Sequence, residues 1–207
     1  MKYIDLTRTL IHNTPVYPGD PHPQLEQIAF YDKDGFNDFA ITTGMHVGTH
    51  MDGPLHMLPD GKRLCEFHPE YFFGHGRLID ARNQALIDIS LLDGEQIAKD
   101  EIWLVLTGFG RKFGTPEYYQ SYPEITQAFA REANEKGIKI MGMDTPSPDS
   151  PPFAIHKLLL QNDILIIENL TNLEALIAYD AFDIIALPAK FDADSAPVRV
   201  IAQIQIK

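Results

Sequence analysis

The chain has 207 residues, 44% of them hydrophobic, enough for one domain with a sizeable core. Seventeen basic against twenty-nine acidic side chains leave a net charge of -12, which repels nucleic-acid phosphates and anionic membrane surfaces and sets both aside as partners. A single cysteine, Cys65, excludes an internal disulfide and a four-cysteine zinc site, so any metal must be held by nitrogen and oxygen.

The opening MKYIDLTRTLIHNTPVYPGD lacks the long apolar run of a signal peptide, and no later stretch is long and apolar enough to span a bilayer, so the sequence reads as soluble and cytoplasmic. No repeat, low-complexity tract or Ser/Gly linker divides it, and residues 1–207 are expected to form a single domain. The predicted elements begin with a strand in YIDLTRTL. The loop NTPVYPGDPHP follows, where proline removes donors and forbids helix. FAITTGMHV, β-branched and alternating, reads as a strand. IWLVLTG at 102–108 is a buried strand ending in glycine, and the glycine and aromatic loop GFGRKFGTPEYYQSYPE comes after it.

SYPEITQAFAREANEKG predicts a helix, with Ser121 and Glu124 as a capping box, Ile125, Ala128, Phe129 and Glu132 at helical spacing, and Gly137 as the stop. Then come a strand in IKIMGMD, a short helix in PFAIHKLLLQN, a strand in DILIIENL, a helix in TNLEALIAY and a strand in FDIIALP. This alternation implies a β-α-β-α-β second half with at least part of the sheet parallel. PVRVIAQIQIK places Val198, Val200, Ala202, Ile204 and Ile206 on one face of a half-exposed final strand. The expected class is α/β, a single domain with a central mixed β-sheet flanked by helices.

HVGTHMDGPLH, residues 46–56, packs three histidines and an aspartate among two glycines and a proline. His46, His50 and Asp52 share parity, so in an extended chain their side chains leave from one face. A straight strand would nevertheless hold His46 and His50 about 13 Å apart, whereas ligands of one zinc-like ion each sit about 2 Å from it. Val47, Gly48, Thr49 and the coming Pro54 disfavour a helix. The chain is therefore expected to deliver His46 on a strand, turn at Gly48 and swing His50 and Asp52 back to the same point. Gly53 and Pro54 then fix the turn that places His56. The bland alternative is a polar loop with incidental histidines.

The same residues resemble the HxGTHxDxPxH signature of the cyclase-like metal-dependent hydrolase family, of the bacterial kynurenine formamidase and isatin hydrolase type. The likeness extends from PVYPGDP through GMDTPSPD to SAPVRV. It implies a swivelling β/β/α-like fold, a first metal on His46 and His50 with Asp52 shared between two ions, and a second metal on His156 and Glu168. On the residues alone His156 reads equally as a half-buried histidine and Glu168 as a strand-end charge, although the carboxyl end of a strand is a common place for an α/β sheet to present a site group. His56 is implied to be the general acid and base, with a fifth ligand or an orienting role as alternatives. Tyr17 is the candidate substrate-side aromatic, in a place where kynurenine formamidases often carry tryptophan; plain packing is the alternative.

Thr49 is a candidate to hydrogen-bond a ligand histidine's far nitrogen, and Asp144 to orient neighbouring groups from a strand end. Arg199 is expected to pair with a surface carboxylate, with an acidic substrate as the alternative. His12, His22, His68 and His75 are assigned to loops without carboxylate partners. The cofactor implied is one or two divalent ions, zinc first and manganese second, since nitrogen and carboxylate ligands suit several metals nearly alike. The resemblance implies hydrolysis of a small-molecule amide, either a linear aryl formamide such as N-formylkynurenine or a cyclic amide such as isatin. It also implies a homodimer, with the loops after residues 17 and 109 lining a neighbour's site. The competing reading is a non-catalytic module that binds a divalent metal or small ligand. His56 separates the two, because pure metal binding needs no free histidine beside the ion. A structural metal fits less well, since such sites are closed by four protein ligands, often cysteines.

Overall fold

Strands that alternate two apolar faces need cover on both, and here the sheet supplies one of them by closing on itself. The structure, a computed structural model, describes residues 1–205. Its strands are β1 (Lys2–Asp5), β2 (Gln24–Ala29), β3 (Asp38–Thr42), β4 (His50–Asp52), β5 (Phe73–Asp80), β6 (Leu86–Ile87), β7 (Ile102–Leu106), β8 (Glu124–Ile125), β9 (Ile140–Met143), β10 (Leu165–Glu168), β11 (Phe182–Pro188) and β12 (Ser195–Ile204). The α-helices are α1 (Tyr31–Asp34), α2 (Gln127–Lys136) and α3 (Ala154–Leu160). The main sheet runs in the order β1-β12-β11-β5-β7-β9-β10-β4, and β4 pairs again with the start of β12, which closes it into a barrel. Neighbours β5, β7, β9 and β10 are parallel and the other pairs antiparallel, the mixed sheet of a single α/β domain.

Period two sorts the core. Ile102, Leu104 and Leu106 of β7 point into the barrel with Leu165, Ile167, Ile184 and Val200. Trp103 and Val105 point outward, where Phe129 and Ala133 of α2 and Ile155 and Leu159 of α3 cover them. Each leucine, isoleucine, valine or phenylalanine among them, fully buried, contributes about 1.5–3 kcal/mol. Among the described residues no helix is long and apolar enough to cross a membrane. The final strand alternates as its sequence requires, with Val198, Val200, Ala202 and Ile204 buried; Ile206 lies outside the described residues.

Three local expectations differ from the structure. Helix α2 starts at Gln127, capped by Thr126 Oγ1 accepting from Phe129 N, rather than by Ser121 and Glu124. Glu124 and Ile125 are instead captured by Leu86 and Ile87 in a short parallel pair, so a tertiary partner takes the backbone groups a helix would have used. Gly137, at φ 66°, does end the helix. TNLEALIAY makes only one 3-10 turn, Leu173–Leu176, which buries Leu173 and Leu176; Asn172, left-handed at φ 58°, keeps Thr171 and Asn172 out of any helix. FAITTGMHV stays extended only to Thr42; residues 43–49 are irregular, so His46 arrives on a bend.

The β2–β3 pair stands apart as its own two-stranded sheet, and every residue of β3 is exposed.

Candidate metal centre

The site is built at the seam where β4 closes the barrel. Met51 points into the core, so its neighbours His50 and Asp52 must leave from the opposite face. Register then chooses what they meet. Across from β4, Glu168 of β10 lies directly opposite His50 and Ile166 opposite Asp52, on the same outward face. The carboxylate Oε2 of Glu168 is 3.3 Å from His50 Nε2, as expected for directly paired residues of an antiparallel ladder. Helix α3 lies over this face and brings His156 Nε2 to 3.3 Å from Glu168 Oε1. Gly48, at φ 63°, makes the turn that folds His46 back, leaving its ring centroid 5.2 Å from that of His50. Glycine adopts that left-handed conformation at little cost.

Each of these three histidines has one ring nitrogen tied to an acceptor and the other turned toward Asp52 or Glu168. His50 Nδ1 faces the Gly48 carbonyl at 2.9 Å. His156 Nδ1 faces Asp149 Oδ1 at 2.7 Å, and the other oxygen of Asp149 accepts from Ile155 N, so one carboxylate both starts α3 and orients its histidine. His46 Nε2 faces Asp194 Oδ2 at 2.8 Å. A carbonyl or carboxylate only accepts, so the tied nitrogen carries the proton and in the neutral ring the other presents a lone pair. Lone pairs and carboxylates that converge in this way suit a divalent cation, and the acceptors behind the rings are the usual supports of metal-bound histidine.

Burial sharpens the point. His50 Nε2 and Asp52 Oδ1 are buried and make no hydrogen bond, although Asp52 Oδ1 lies 2.9 Å from His46 Nδ1 and 3.5 Å from His50 Nε2. The approaches are close but not aligned for an N–H to donate, and a buried polar atom left in that condition is costly unless a cation satisfies it. Ligand atoms of His50, Asp52 and Glu168 lie within 4.8 Å of one another, and so do those of His46, Asp52 and His56, with Asp52 common to both sets. The donor set therefore fits a divalent metal.

The charges are mutually dependent. Burial opposes protonation of His46, but Asp52 and Asp194 outweigh it and push its pKa up to about 10. His156 is likewise desolvated, yet Asp149 and Glu168 push it up to about 9. Asp52 and Glu168 are held below the usual carboxylate range, burial notwithstanding, by the histidines around them. His56 differs: burial, with the charges of His46 and His156, lowers its pKa against the pull of Asp52. Its ring lies 4.1 Å from that of His46, and Nδ1 is 3.4 Å from Asp194 Oδ2.

A cavity of ≈ 210 Å³ opens over these groups, with Tyr17, Tyr119, Phe153, Val16 and Met57 among its walls. Tyr17 lines this pocket in its own chain and meets Tyr119 edge to face at 6.0 Å. Thr49 does not hydrogen-bond a histidine: its hydroxyl donates to the Asn169 carbonyl and accepts from Arg8 N. Asp144 accepts from Thr107 and Gly108 and so holds the loop after β7. Arg199 pairs with Asp5 as expected. His75 lies on β5 and faces Asp183, a carboxylate partner that strand pairing supplies and sequence spacing does not. Asp149 and Asp194 escaped sequence reasoning, since each meets its histidine through chain geometry and carries no local periodicity; their only signal was their place in or beside GMDTPSPD and SAPVRV.

A closed mixed sheet with histidines and carboxylates converging at its seam, under an aromatic pocket, defines an α/β protein that holds a divalent metal. The chain belongs to the cyclase family, described as "Putative cyclase", whose sequence pattern matches residues 4–150. A kynurenine formamidase of Bacillus cereus is 31% identical over 97% of this chain and 96% of its own length. An uncharacterized protein of Methanocaldococcus jannaschii is 35% identical over 98% of this chain and 99% of its own. Isatin hydrolase A from Labrenzia aggregata, bound to benzyl benzoate, superimposes with a TM-score of 0.87 at 25% identity, covering 98% of this chain and 93% of that one.

Proposed function

We propose that the protein hydrolyses the amide bond of a small aryl formamide or a cyclic aryl amide of the isatin kind, with His56 as proton shuttle. That it is a metal-dependent amide hydrolase follows from the relatives named kynurenine formamidase and isatin hydrolase. The observation that carries the reading is the convergence of His46, His50 and His156, each backed by an acceptor, on Asp52 and Glu168. In this reading His46 and His50 would hold one ion and His156 and Glu168 a second, with Asp52 serving both. Zinc is the first choice and manganese the second.

Held by these residues, a divalent ion would supply a nucleophilic water at neutral pH and a Lewis acid for the substrate carbonyl. His56 has Nδ1 turned toward Asp194, which leaves Nε2 to take the proton of the attacking water and return it to the departing nitrogen as the C–N bond breaks. Burial lowers the pKa of His56, which favours the neutral ring that accepts that proton. Tyr17, Tyr119 and Phe153 give an aryl group flat apolar walls.

A homodimer goes with this reading. The β2–β3 hairpin carries Ile28, Phe30, Tyr31, Phe36, Phe39 and Ile41 exposed, and a two-stranded sheet with that much apolar surface needs cover. A second copy of the chain is the proposed cover. A cytoplasmic setting is proposed with it, in keeping with the single free Cys65.

The test is hydrolysis of a panel of aryl formamides, isatin and other cyclic amides by protein loaded with zinc or with manganese. Turnover of either substrate class, abolished by chelation and restored by the metal, is expected. Metal-loaded protein inert to the whole panel would leave the binding module as the better account.

A further inference from the structure

Asn169 follows Glu168 directly, is 7% exposed, and sits in the left-handed region at φ 59°, which asparagine tolerates better than most residues. Its Nδ2 donates to the Gly48 carbonyl at 3.0 Å, the oxygen that also accepts from His50 Nδ1 at 2.9 Å. A backbone carbonyl cannot donate, so the amide must present its NH₂ there, and Oδ1 is left to accept from the buried Tyr118 hydroxyl at 2.8 Å. The backbone is used as fully. Asn169 N donates to Thr145 O, and Asn169 O accepts from Thr49 Oγ1 and Arg8 Nε.

We propose that Asn169 is a positioning residue for the metal: it pins the Gly48 carbonyl, and through that oxygen it holds the His50 ring with Nε2 turned toward Asp52 and Glu168. The inference rests on the metal centre proposed above. Gly48 lies in a glycine-dependent turn, and its peptide needs a second anchor if the oxygen is to hold one direction. A carbonyl that swung away would release His50 Nδ1 and with it the choice of which nitrogen faces the ion. Because Asn169 also continues the strand that ends in Glu168, one residue sets the spacing between two ligands that come from opposite halves of the chain. Supports of this kind typically affect metal affinity by about 10–100-fold.

The test is Asn169→Asp, which keeps the size and the tolerance of left-handed backbone but places an acceptor oxygen against the Gly48 oxygen. Zn²⁺ affinity is measured against a competing chelator, Co²⁺-loaded protein is examined by visible absorption, and metal-free thermal unfolding is followed in parallel. The expected result is Zn²⁺ affinity weakened tenfold or more and an altered Co²⁺ spectrum, with a cooperative metal-free transition retained; Tyr118→Phe gives a smaller loss in the same direction. Unchanged affinity and spectrum, with only the unfolding transition lowered, would make Asn169 a fold-stabilising residue and overturn the proposal. If the aspartate variant does not fold, Asn169→Gly preserves the backbone conformation and every backbone bond and is read by the same criteria. A parent protein that takes up no Zn²⁺ would overturn the metal centre itself, an outcome distinct from a parent and a variant that bind alike.

Discussion

Asp194 Oδ2 lies 2.8 Å from His46 Nε2 although 148 residues separate them in the chain. Strand register makes the meeting: Ser195 pairs with Asp52, and Gly53 N bonds to the Asp194 carbonyl, so the residue before β12 is held beside the bend that carries His46. The same oxygen is 3.4 Å from His56 Nδ1. Asp194→Asn, which keeps the shape and removes the charge, should reduce both metal affinity and kcat by about 10–100-fold, the range for a carboxylate behind a ligand histidine. Metal stoichiometry and steady-state kinetics read the two effects separately, and a variant equal to the parent in both would reduce Asp194 to a bystander.

His56→Ala should keep its metal, because His46, His50, Asp52, His156 and Glu168 remain. Turnover should fall by about 10² or more, mainly in kcat, the scale for losing a positioned acid and base. Substrates with weakly basic leaving amines should suffer less, since they need less proton assistance. Metal analysis decides the other reading: if the ion is lost with the ring, His56 is a ligand, as its place near His46 and Asp52 would also allow.

Metal uptake should release protons. Asp52 and Asp194 push the pKa of His46 up to about 10, and Asp149 and Glu168 push that of His156 up to about 9, so at pH 7 each metal-free ring carries a proton that the ion must displace. Titration calorimetry of Zn²⁺ in buffers of different ionisation enthalpy should show release of more than one proton per chain. Affinity should weaken as pH falls, by about tenfold per unit for each displaced proton. Heats that do not depend on the buffer would show the nitrogens already bare.

Gly48→Ala should destabilise the metal-free protein by about 1–2 kcal/mol in urea unfolding, the usual penalty for placing a Cβ on left-handed backbone. Crowding is not the cause, since the added Cβ would meet Leu10 Cδ1 at an ordinary 3.6 Å. Metal affinity should fall as well, because the turn carries both His46 and the carbonyl that holds His50. An alanine variant as stable as the parent would mean the turn relaxes to a right-handed conformation.

Phe39→Lys together with Ile41→Lys should shift sedimentation from dimer toward monomer while leaving the far-ultraviolet spectrum unchanged. Both side chains are more than half exposed on β3. A parent that already sediments as a monomer would remove the hairpin as a dimer contact.

The local pattern of the chain determined much of this protein by itself. The continuous apolar run in IWLVLTG marked a buried strand and the alternation in PVRVIAQ a half-exposed one, Gly137 marked a helix end, and Gly48 between His46 and His50 marked the turn on which a shared site for His46, His50 and Asp52 depends. Those are properties of neighbours in sequence, and backbone sterics and side-chain period dictate them whatever the rest of the chain does. Tertiary structure decided the remainder. Helix α2 lost its first turn because Glu124 and Ile125 found a strand to pair with, and TNLEALIAY kept a single turn that buries Leu173 and Leu176. The acceptors behind the histidines, Asp194, Asp149 and the Gly48 carbonyl braced by Asn169, come from hydrogen bonds whose partners are chosen by register between distant segments or by a loop folding back on a helix start. No periodicity in the sequence encodes such a choice, because one aspartate in a loop looks like any other until the sheet closes and β4 is set between β10 and β12.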